Sequence, residues 1–238
     1  MSKKITIWKD PYDCGFDISS RRNVEINECS TIIIGCNGLG KTTFLSNIKS
    51  ELKDKNIPCL SYDNLTDGGK KQSGYLLNSG NTDDLARLLT SSEGENISNN
   101  LAIRIIPGAK EFIKTGKLPK KKNNIRGIFD NDKDTNKDEK PISDERWILL
   151  DAVDSGYSID NIIQLKLLFK LMINDAMTHN VKLYIVASAN EYELASGMPC
   201  FDLAKGEYVE VNSYDEYKNI ILQSRDYKDN KRYNKYKK

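Results

Sequence analysis

The sequence has few cysteines, a single histidine and no long apolar run among its 238 residues. The five cysteines are odd in number and form no C-x-x-C pair, which argues against a zinc site or a disulfide framework and indicates reduced thiols. No stretch approaches the roughly 20 apolar residues that a membrane span needs, and the N-terminus lacks the apolar core of a signal peptide. These absences predict a cytoplasmic protein without a membrane segment.

The sequence also lacks a strong excess of either charge. It has 36 Lys and Arg against 34 Asp and Glu, a formal net charge of +2, so the overall charge gives no argument for nucleic-acid binding. A mean hydropathy of -0.58 indicates a polar, soluble chain. The length is sufficient for one domain with a sizeable core.

The most specific motif lies where an apolar strand meets a glycine-rich turn. Residues 30–43 read STIIIGCNGLGKTT, which is G-x-x-x-x-G-K-T between a predicted strand and a predicted helix. Glycines allow backbone N–H groups to converge on phosphate oxygens, and the start of the helix adds its own N–H groups and its positive dipole end. The candidate phosphate-binding residues are Gly35, Asn37, Gly38, Gly40, Lys41, Thr42 and Thr43.

Two side chains of this motif carry the chemistry. Lys41 is placed to reach the β- and γ-phosphates of a nucleoside triphosphate, and the Thr42 hydroxyl is placed to bind Mg²⁺. A second apolar strand, RWILLD at 146–151, ends in Asp151. Because a buried strand of this kind delivers one carboxylate to the magnesium ion beside the phosphates, we expect Thr42 and Asp151 to be the metal ligands.

The order of elements predicts the fold class. Strand patterns alternate with amphipathic helices, among them a long helix from an N-cap at Ser158 to about Met177 and a short helix over Tyr214–Leu222. This alternation predicts an α/β sandwich with a mainly parallel sheet flanked by helices.

Two polar regions interrupt or follow this pattern. Residues 107–143 are predicted to form an exposed polar insertion, and 223–238 a basic, flexible tail after a domain that spans 1–222. The basic stretches 110–126 and 225–238 are candidate contacts for a nucleic acid or a protein, and solvated segments without a partner are the open alternative.

The segment Ser91–Glu95, SSEGE, has the chemistry of a helix start. A serine precedes Glu95, and apolar residues follow at helical spacing. A helix N-terminus of this kind can bind an anion, and a capped helix without a ligand is the alternative.

Together these motifs resemble the ATP-binding cassette family. The loop matches that family's G-x-N-G-x-G-K-T-T form, Leu149–Asp151 with 154–160 resembles its Walker B strand and D-loop, and Ser91–Glu95 resembles its signature in the SMC and RecF branch. The resemblance spans roughly residues 5–220 apart from the insertion. It implies a P-loop sandwich with a small helical signature subdomain.

The resemblance also implies a mode of action. In that family the signature of one subunit caps the γ-phosphate held by another, so Ser92 and Gly94 would act in trans in a head-to-tail homodimer with two ATP molecules. Gln72 would be the Q-loop glutamine, which acts on Mg²⁺ and the attacking water. ATP and Mg²⁺ are the implied cofactors.

The sequence departs from this family in its catalytic machinery. Ala152 stands where a glutamate usually polarises the attacking water, which predicts slow hydrolysis unless Asp154 substitutes for it. Asn190 stands in the region where the switch histidine is expected, and the sole histidine, His179, is predicted to lie at the surface. The spacing from Ser92 to Asp151 is longer than usual, which the insertion explains.

Three functions remain open from the sequence. The first is an ATPase or ATP-dependent switch that closes as a dimer, and the second is an ATP-gated clamp on nucleic acid or protein without meaningful hydrolysis. The third, a transporter subunit, is disfavoured by the missing histidine and the SMC-like signature. A GTPase is disfavoured because the nearest match to N-K-x-D, at 136–139, ends in Glu139.

Overall fold

The computed structural model describes residues 2–7, 22–63, 106–118 and 143–236. The strands in these ranges are β1 (Ser2–Ile7), β2 (Arg22–Asn27), β3 (Cys29–Ile34), β4 (Cys59–Asp63), β5 (Glu145–Asp151), β6 (Lys182–Ser188), β7 (Cys200–Asp202) and β8 (Glu207–Val209). The helices are α1 (Lys41–Asp54), α2 (Ile106–Thr115), α3 (Ile159–Thr178), α4 (Tyr192–Ala195) and α5 (Tyr214–Tyr236).

Six strands form one sheet in the order β4-β5-β6-β3-β7-β8. All neighbours pair in parallel except β7 and β8, which are antiparallel. Strands β1 and β2 form a separate antiparallel pair. The prediction of an α/β protein with a mainly parallel sheet is therefore confirmed.

The sheet is buried on both faces, as the continuous apolar runs of its strands predict. Ile32 and Ile34 contribute to the core on the face that α2 and α3 cover. Ile33 points to the opposite face, where it joins a second core with α1 and the β1–β2 pair. This alternation is the two-residue period of a strand, and it produces a layer of sheet between two layers of helix and hairpin.

The three motif-bearing strands end at one edge of the sheet. β6 lies between β5 and β3, with Ile33 of β3 opposite Ser188 and Leu150 of β5 opposite Ala187. Because the strands are parallel, the residues at or just after each carboxyl end, Gly35 and Asp151 among them, come to the same edge. Ligands bind at such edges in open α/β sheets.

The prediction of an exposed insertion from residue 107 is wrong at its start. Residues 106–115 form α2, and Ala109, Phe112 and Ile113 are buried in the core beside α3. Apolar residues at positions i, i+3 and i+4 account for this burial. The rest of the insertion, 119–142, lies outside the described residues.

The prediction of a short C-terminal helix followed by a flexible tail is also wrong. Helix α5 runs without a break from Tyr214 to Tyr236, so most of the basic segment is helical. The N-cap of α3 at Ser158 is confirmed, since the Ser158 side chain accepts a hydrogen bond from the Asn161 backbone N–H. His179 is exposed, as predicted.

Several predicted site elements lie outside the described residues. These are Gln72, the signature residues Ser92 and Gly94, and the small helical subdomain that the signature would belong to. Across the described ranges, no helix combines the length and the apolar character required to cross a bilayer.

Candidate functional site

The candidate phosphate-binding loop, residues 35–40 and called the phosphate loop below, connects β3 to α1 through a backbone path that favours glycine. Gly35, Gly38 and Gly40 have φ angles of 150°, 75° and 106°. Helix α1 begins after Gly40, and no described side chain caps it. The N–H groups of the first helical turn have no acceptor within the helix, so this end of α1 offers donors and the positive end of its dipole to an anion.

Gly35 has a steric requirement in addition to its φ angle. A Cβ atom built at this position would lie 2.5 Å from Cδ2 of Leu39 and 3.9 Å from Cβ of Leu203. The loop therefore folds back closely on the end of β3. This close approach fixes the position from which Lys41 reaches the site.

Lys41 points back into the loop that precedes it. Its side chain is 8% exposed, and Nζ donates a 2.7 Å hydrogen bond to the Gly35 carbonyl oxygen. Burial lowers the pKa of Lys41, while the nearby negative groups, Asp154 first among them, favour its charged form. An anionic ligand beside Nζ would oppose the effect of burial in the same way.

Asp151 is held in place from the neighbouring strand. Its Oδ1 accepts a 2.5 Å hydrogen bond from the Ser188 hydroxyl, and the same hydroxyl oxygen accepts a 2.8 Å bond from the Ala152 backbone N–H. Ser188 thus fixes both the carboxylate and the peptide that follows it. The sequence did not identify this serine, although its place at the end of the strand beside β5 is a usable signal.

Ala152 occupies a backbone conformation that residues with a Cβ rarely adopt. Its φ is 52°, in the left-handed region, and it opens a turn in which the Ser155 N–H bonds to the Ala152 carbonyl. The chain therefore turns sharply just after Asp151. The side chain at this position is the methyl group of alanine, which has no polar atom.

Asp154 is completely buried, and both oxygens of its carboxylate accept hydrogen bonds. Oδ2 accepts hydrogen bonds of 2.7 and 2.8 Å from the backbone N–H groups of Asn190 and Glu191, and Oδ1 accepts a 3.4 Å bond from Nδ2 of Asn190. Burial raises the pKa of Asp154, and the two backbone N–H groups oppose that shift. The carboxylate joins the turn after β5 to the loop after β6. Its role as a catalytic base stays a prediction.

Asp154→Ala is expected to lower the free energy of unfolding by about 2 kcal/mol, because two backbone N–H groups at a partly buried position lose their acceptor. Asp154→Asn keeps one acceptor oxygen and is expected to cost less. Chemical denaturation of the two variants beside wild type measures the difference. An alanine variant as stable as wild type would show that this carboxylate does not hold the loop.

Helix α5 forms the opposite wall of the site. A pocket of about 400 Å³ lies between the phosphate loop and α5. Residues from three segments line it: Gly35, Cys36, Asn37, Lys41, Asn190, Tyr217, Ile221, Arg225 and Lys228. The sequence placed none of the α5 residues in the site. Their spacing along one helical face was the available signal.

The predicted site residues are thus partly brought together. Lys41 bonds to the Gly35 carbonyl just after β3, while Asp151 bonds to Ser188, which lies opposite Ile33 of β3. Asp154 bonds to Asn190 just after β6, so all three residues lie at the same edge of the sheet. Asn37 is exposed in the loop, and Thr42 and Thr43 are exposed on the first turn of α1. Cys36 is buried.

Comparisons of this chain with models of known families, with curated proteins and with solved structures find no match.

Proposed function

We propose that this chain is an ATP-dependent switch of the ATP-binding cassette type, which binds Mg²⁺–ATP, closes as a head-to-tail homodimer and hydrolyses ATP slowly. The observation that supports it most is the convergence of Lys41, the uncapped start of α1 and Asp151 at one edge of a parallel sheet. This edge offers a cation, free N–H donors and a carboxylate to one ligand. A nucleoside triphosphate with its magnesium ion needs all three.

Each residue has a defined part in this proposal. Lys41 would exchange its bond to the Gly35 carbonyl for the phosphate oxygens, and the first N–H groups of α1 would bind the same anion. Phosphate charge beside Nζ would also hold Lys41 protonated against the effect of burial.

The residues present fit a magnesium ion bound with the help of phosphates. Thr42 offers an exposed hydroxyl on the first turn of α1, and Asp151 a carboxylate oriented by Ser188. Within the described ranges no three His, Cys, Asp or Glu side chains gather as a metal cage. One or two protein ligands completed by phosphate oxygens and water are typical of Mg²⁺, which neutralises phosphate charge when bound.

Slow hydrolysis follows from the groups around the expected attacking water. Ala152 has no group that accepts a proton, and the Asp154 oxygens already accept hydrogen bonds from the loop after β6. A positioned general base is typically worth about 10²- to 10⁴-fold in rate. Without one, a bound ATP would persist long enough to act as a signal.

The dimer is the part of the proposal that rests on the resemblance alone. Ser92 and Gly94 of one subunit would cap the phosphate held by the other, and Gln72 would contact Mg²⁺ and the water. These residues lie outside the described ranges. The head-to-tail arrangement therefore needs its own test.

An ATP-gated clamp without meaningful hydrolysis is the second candidate, and the occupied Asp154 carboxylate favours it. A nucleic acid or a protein would then contact the basic stretches 110–126 and 225–238. Lys110 and Lys114 are exposed on α2 and suit this role. Arg225 and Lys228 instead line the pocket between α5 and the loop that follows β3.

Phosphate release and light scattering, measured together with ATP and Mg²⁺, test the proposed function. We expect slow turnover and an ATP-induced dimer for wild type, and ATP binding without a dimer for Ser92→Arg, since the added side chain blocks the capping contact. ATP-induced dimers without turnover would favour the clamp. A wild-type chain that stays monomeric with saturating ATP would contradict the dimer.

A further inference from the structure

One face of α5 is turned toward the phosphate loop. Tyr217, Ile221, Arg225 and Lys228 line the pocket at successive spacings of four, four and three residues, which is one side of a helix. The phosphate loop lies on the other side of this pocket. The helix therefore faces the position that a phosphate group would occupy.

Two hydrogen bonds attach this face to the loop backbone. The buried Ser224 hydroxyl accepts a 2.8 Å bond from the Cys36 N–H and donates to the Ile221 carbonyl. One turn further on, Lys228 Nζ donates a 3.0 Å bond to the Asn37 carbonyl. Both bonds involve backbone atoms of Cys36 and Asn37, the two residues after Gly35, so the position of α5 is tied to the conformation of the loop.

The pocket has the charge of an anion site. Three of its lining residues, Lys41, Arg225 and Lys228, are cationic, and none is acidic. Nζ of Lys41 and Nζ of Lys228 each bond to a loop carbonyl. Arg225 is the third cationic residue of the pocket. Its guanidinium group presents a planar fork of donors that matches phosphate oxygens.

A buried polar group also points to a ligand. Tyr217 is 6% exposed and lines the pocket, yet among the described residues its hydroxyl has no hydrogen-bond partner. Buried hydroxyl groups are normally satisfied, and an orphaned one requires an explanation. A bound ligand that accepts a hydrogen bond would supply the missing partner.

We propose that α5 completes the nucleotide site within the same chain, with Arg225 and the Tyr217 hydroxyl binding the phosphates opposite Lys41. The inference rests on the proposed nucleotide binding. It adds residues of α5 from the same chain to the site that the phosphate loop forms. Ser224 and Lys228 act as positioning residues that hold α5 on the loop. An arginine supplied in cis can stabilise phosphate charge in the same way as one supplied by a partner.

The rival role for α5 is that of a plug, which must leave before nucleotide enters. The two roles predict opposite effects of the same substitutions. Removal of a binding arginine weakens nucleotide affinity, whereas removal of a contact that belongs to a plug strengthens it. The affinity for ATP therefore distinguishes them.

Calorimetric titration of the full chain with ATP in the presence of Mg²⁺ is the test. The variants are Arg225→Ala, Arg225→Lys and Tyr217→Phe, with Lys218→Ala as the matched control, because Lys218 is exposed on the same helix and does not line the pocket. Lys41→Ala is included to test nucleotide binding itself. Thermal unfolding of each variant checks that the fold is retained.

We expect Arg225→Ala to weaken ATP binding by about 10- to 100-fold, the range for loss of a charged hydrogen-bond partner. Arg225→Lys should recover part of this loss, which a purely structural role would not predict, and Tyr217→Phe should lose about 3- to 10-fold. Lys218→Ala should match wild type.

Two results would overturn the inference while leaving the proposed function intact. The first is an Arg225→Ala variant that binds ATP as tightly as wild type while Lys41→Ala loses binding. The second is an Arg225→Ala variant that binds ATP more tightly than wild type, which would identify α5 as a plug. Unchanged ATP affinity in Tyr217→Phe would show that the Tyr217 hydroxyl does not bind the nucleotide. A wild-type chain that fails to bind ATP would overturn both the inference and the proposed function.

Discussion

Lys41→Ala is expected to weaken the binding of Mg²⁺–ATP by at least about 100-fold. The Lys41 ammonium is buried, and its Nζ donates a hydrogen bond to the carbonyl oxygen of Gly35, the residue that follows β3. Charged hydrogen bonds to two phosphate groups contribute about 1.5–3 kcal/mol each, and every 1.4 kcal/mol is a factor of ten in affinity. Equilibrium titration of the variant with ATP measures the loss.

Lys55→Ala is a suitable control for this substitution. Lys55 follows the other end of α1, where its Nζ pairs with Glu51 across one helical turn. A partly exposed pair of this kind is worth about 0–1 kcal/mol of stability, and it lies far along the helix from the loop. Unchanged affinity in Lys41→Ala would contradict the phosphate-loop assignment.

Ala152→Glu is expected to raise the rate of ATP hydrolysis by about 10²-fold or more. The residue follows Asp151 directly, and a carboxylate here would accept the proton of the attacking water, a contribution of about 10²- to 10⁴-fold. The backbone already holds a residue with a Cβ at a φ of 52°, so the substitution adds no new left-handed strain. Steady-state phosphate release at saturating ATP measures the gain.

Ala152→Gln is the control that distinguishes proton acceptance by the carboxylate from the size of the added side chain. Glutamine has nearly the same size as glutamate, but its amide does not accept a proton at neutral pH. A gain in rate for the glutamate variant alone would support the account of slow turnover. Equal rates for wild type and both variants would show that the missing glutamate is not what limits hydrolysis.

The sequence indicated the glycine-rich half of the candidate site because its signals are local. The turn around Gly35 and Gly40 needs backbone angles that glycine provides, and the strand that ends in Asp151 is a continuous apolar run. Both signals are contained in fewer than about fifteen neighbouring residues. A parallel sheet then brings the ends of such strands to one edge.

The α5 half of the site was not predicted because its signal depends on a distant contact. Basic residues between 225 and 238 resemble a solvated tail when the sequence is considered alone. The bond between the Ser224 hydroxyl and the Cys36 N–H joins residues that are 188 positions apart. Tertiary packing of this kind overrides weak local preference.

The start of the predicted insertion differs from the structure for a similar reason. Pro107 and Gly108 indicated a loop, whereas both residues belong to the first turn of α2, where a proline is tolerated. Phe112 and Ile113 then pack into the core beside α3. A short amphipathic helix between polar segments is easily mistaken for a loop when its partner helix lies far along the chain.

Titration of the wild-type chain with ATP, ADP and AMP in the presence of Mg²⁺ tests the central claim most directly. If the pocket between the phosphate loop and α5 binds the phosphates of a nucleotide, saturable binding to one site per chain should be observed, with affinity falling in the order ATP, ADP, AMP. The absence of saturable ATP binding at millimolar concentration, or equal affinity for all three nucleotides, would contradict the account.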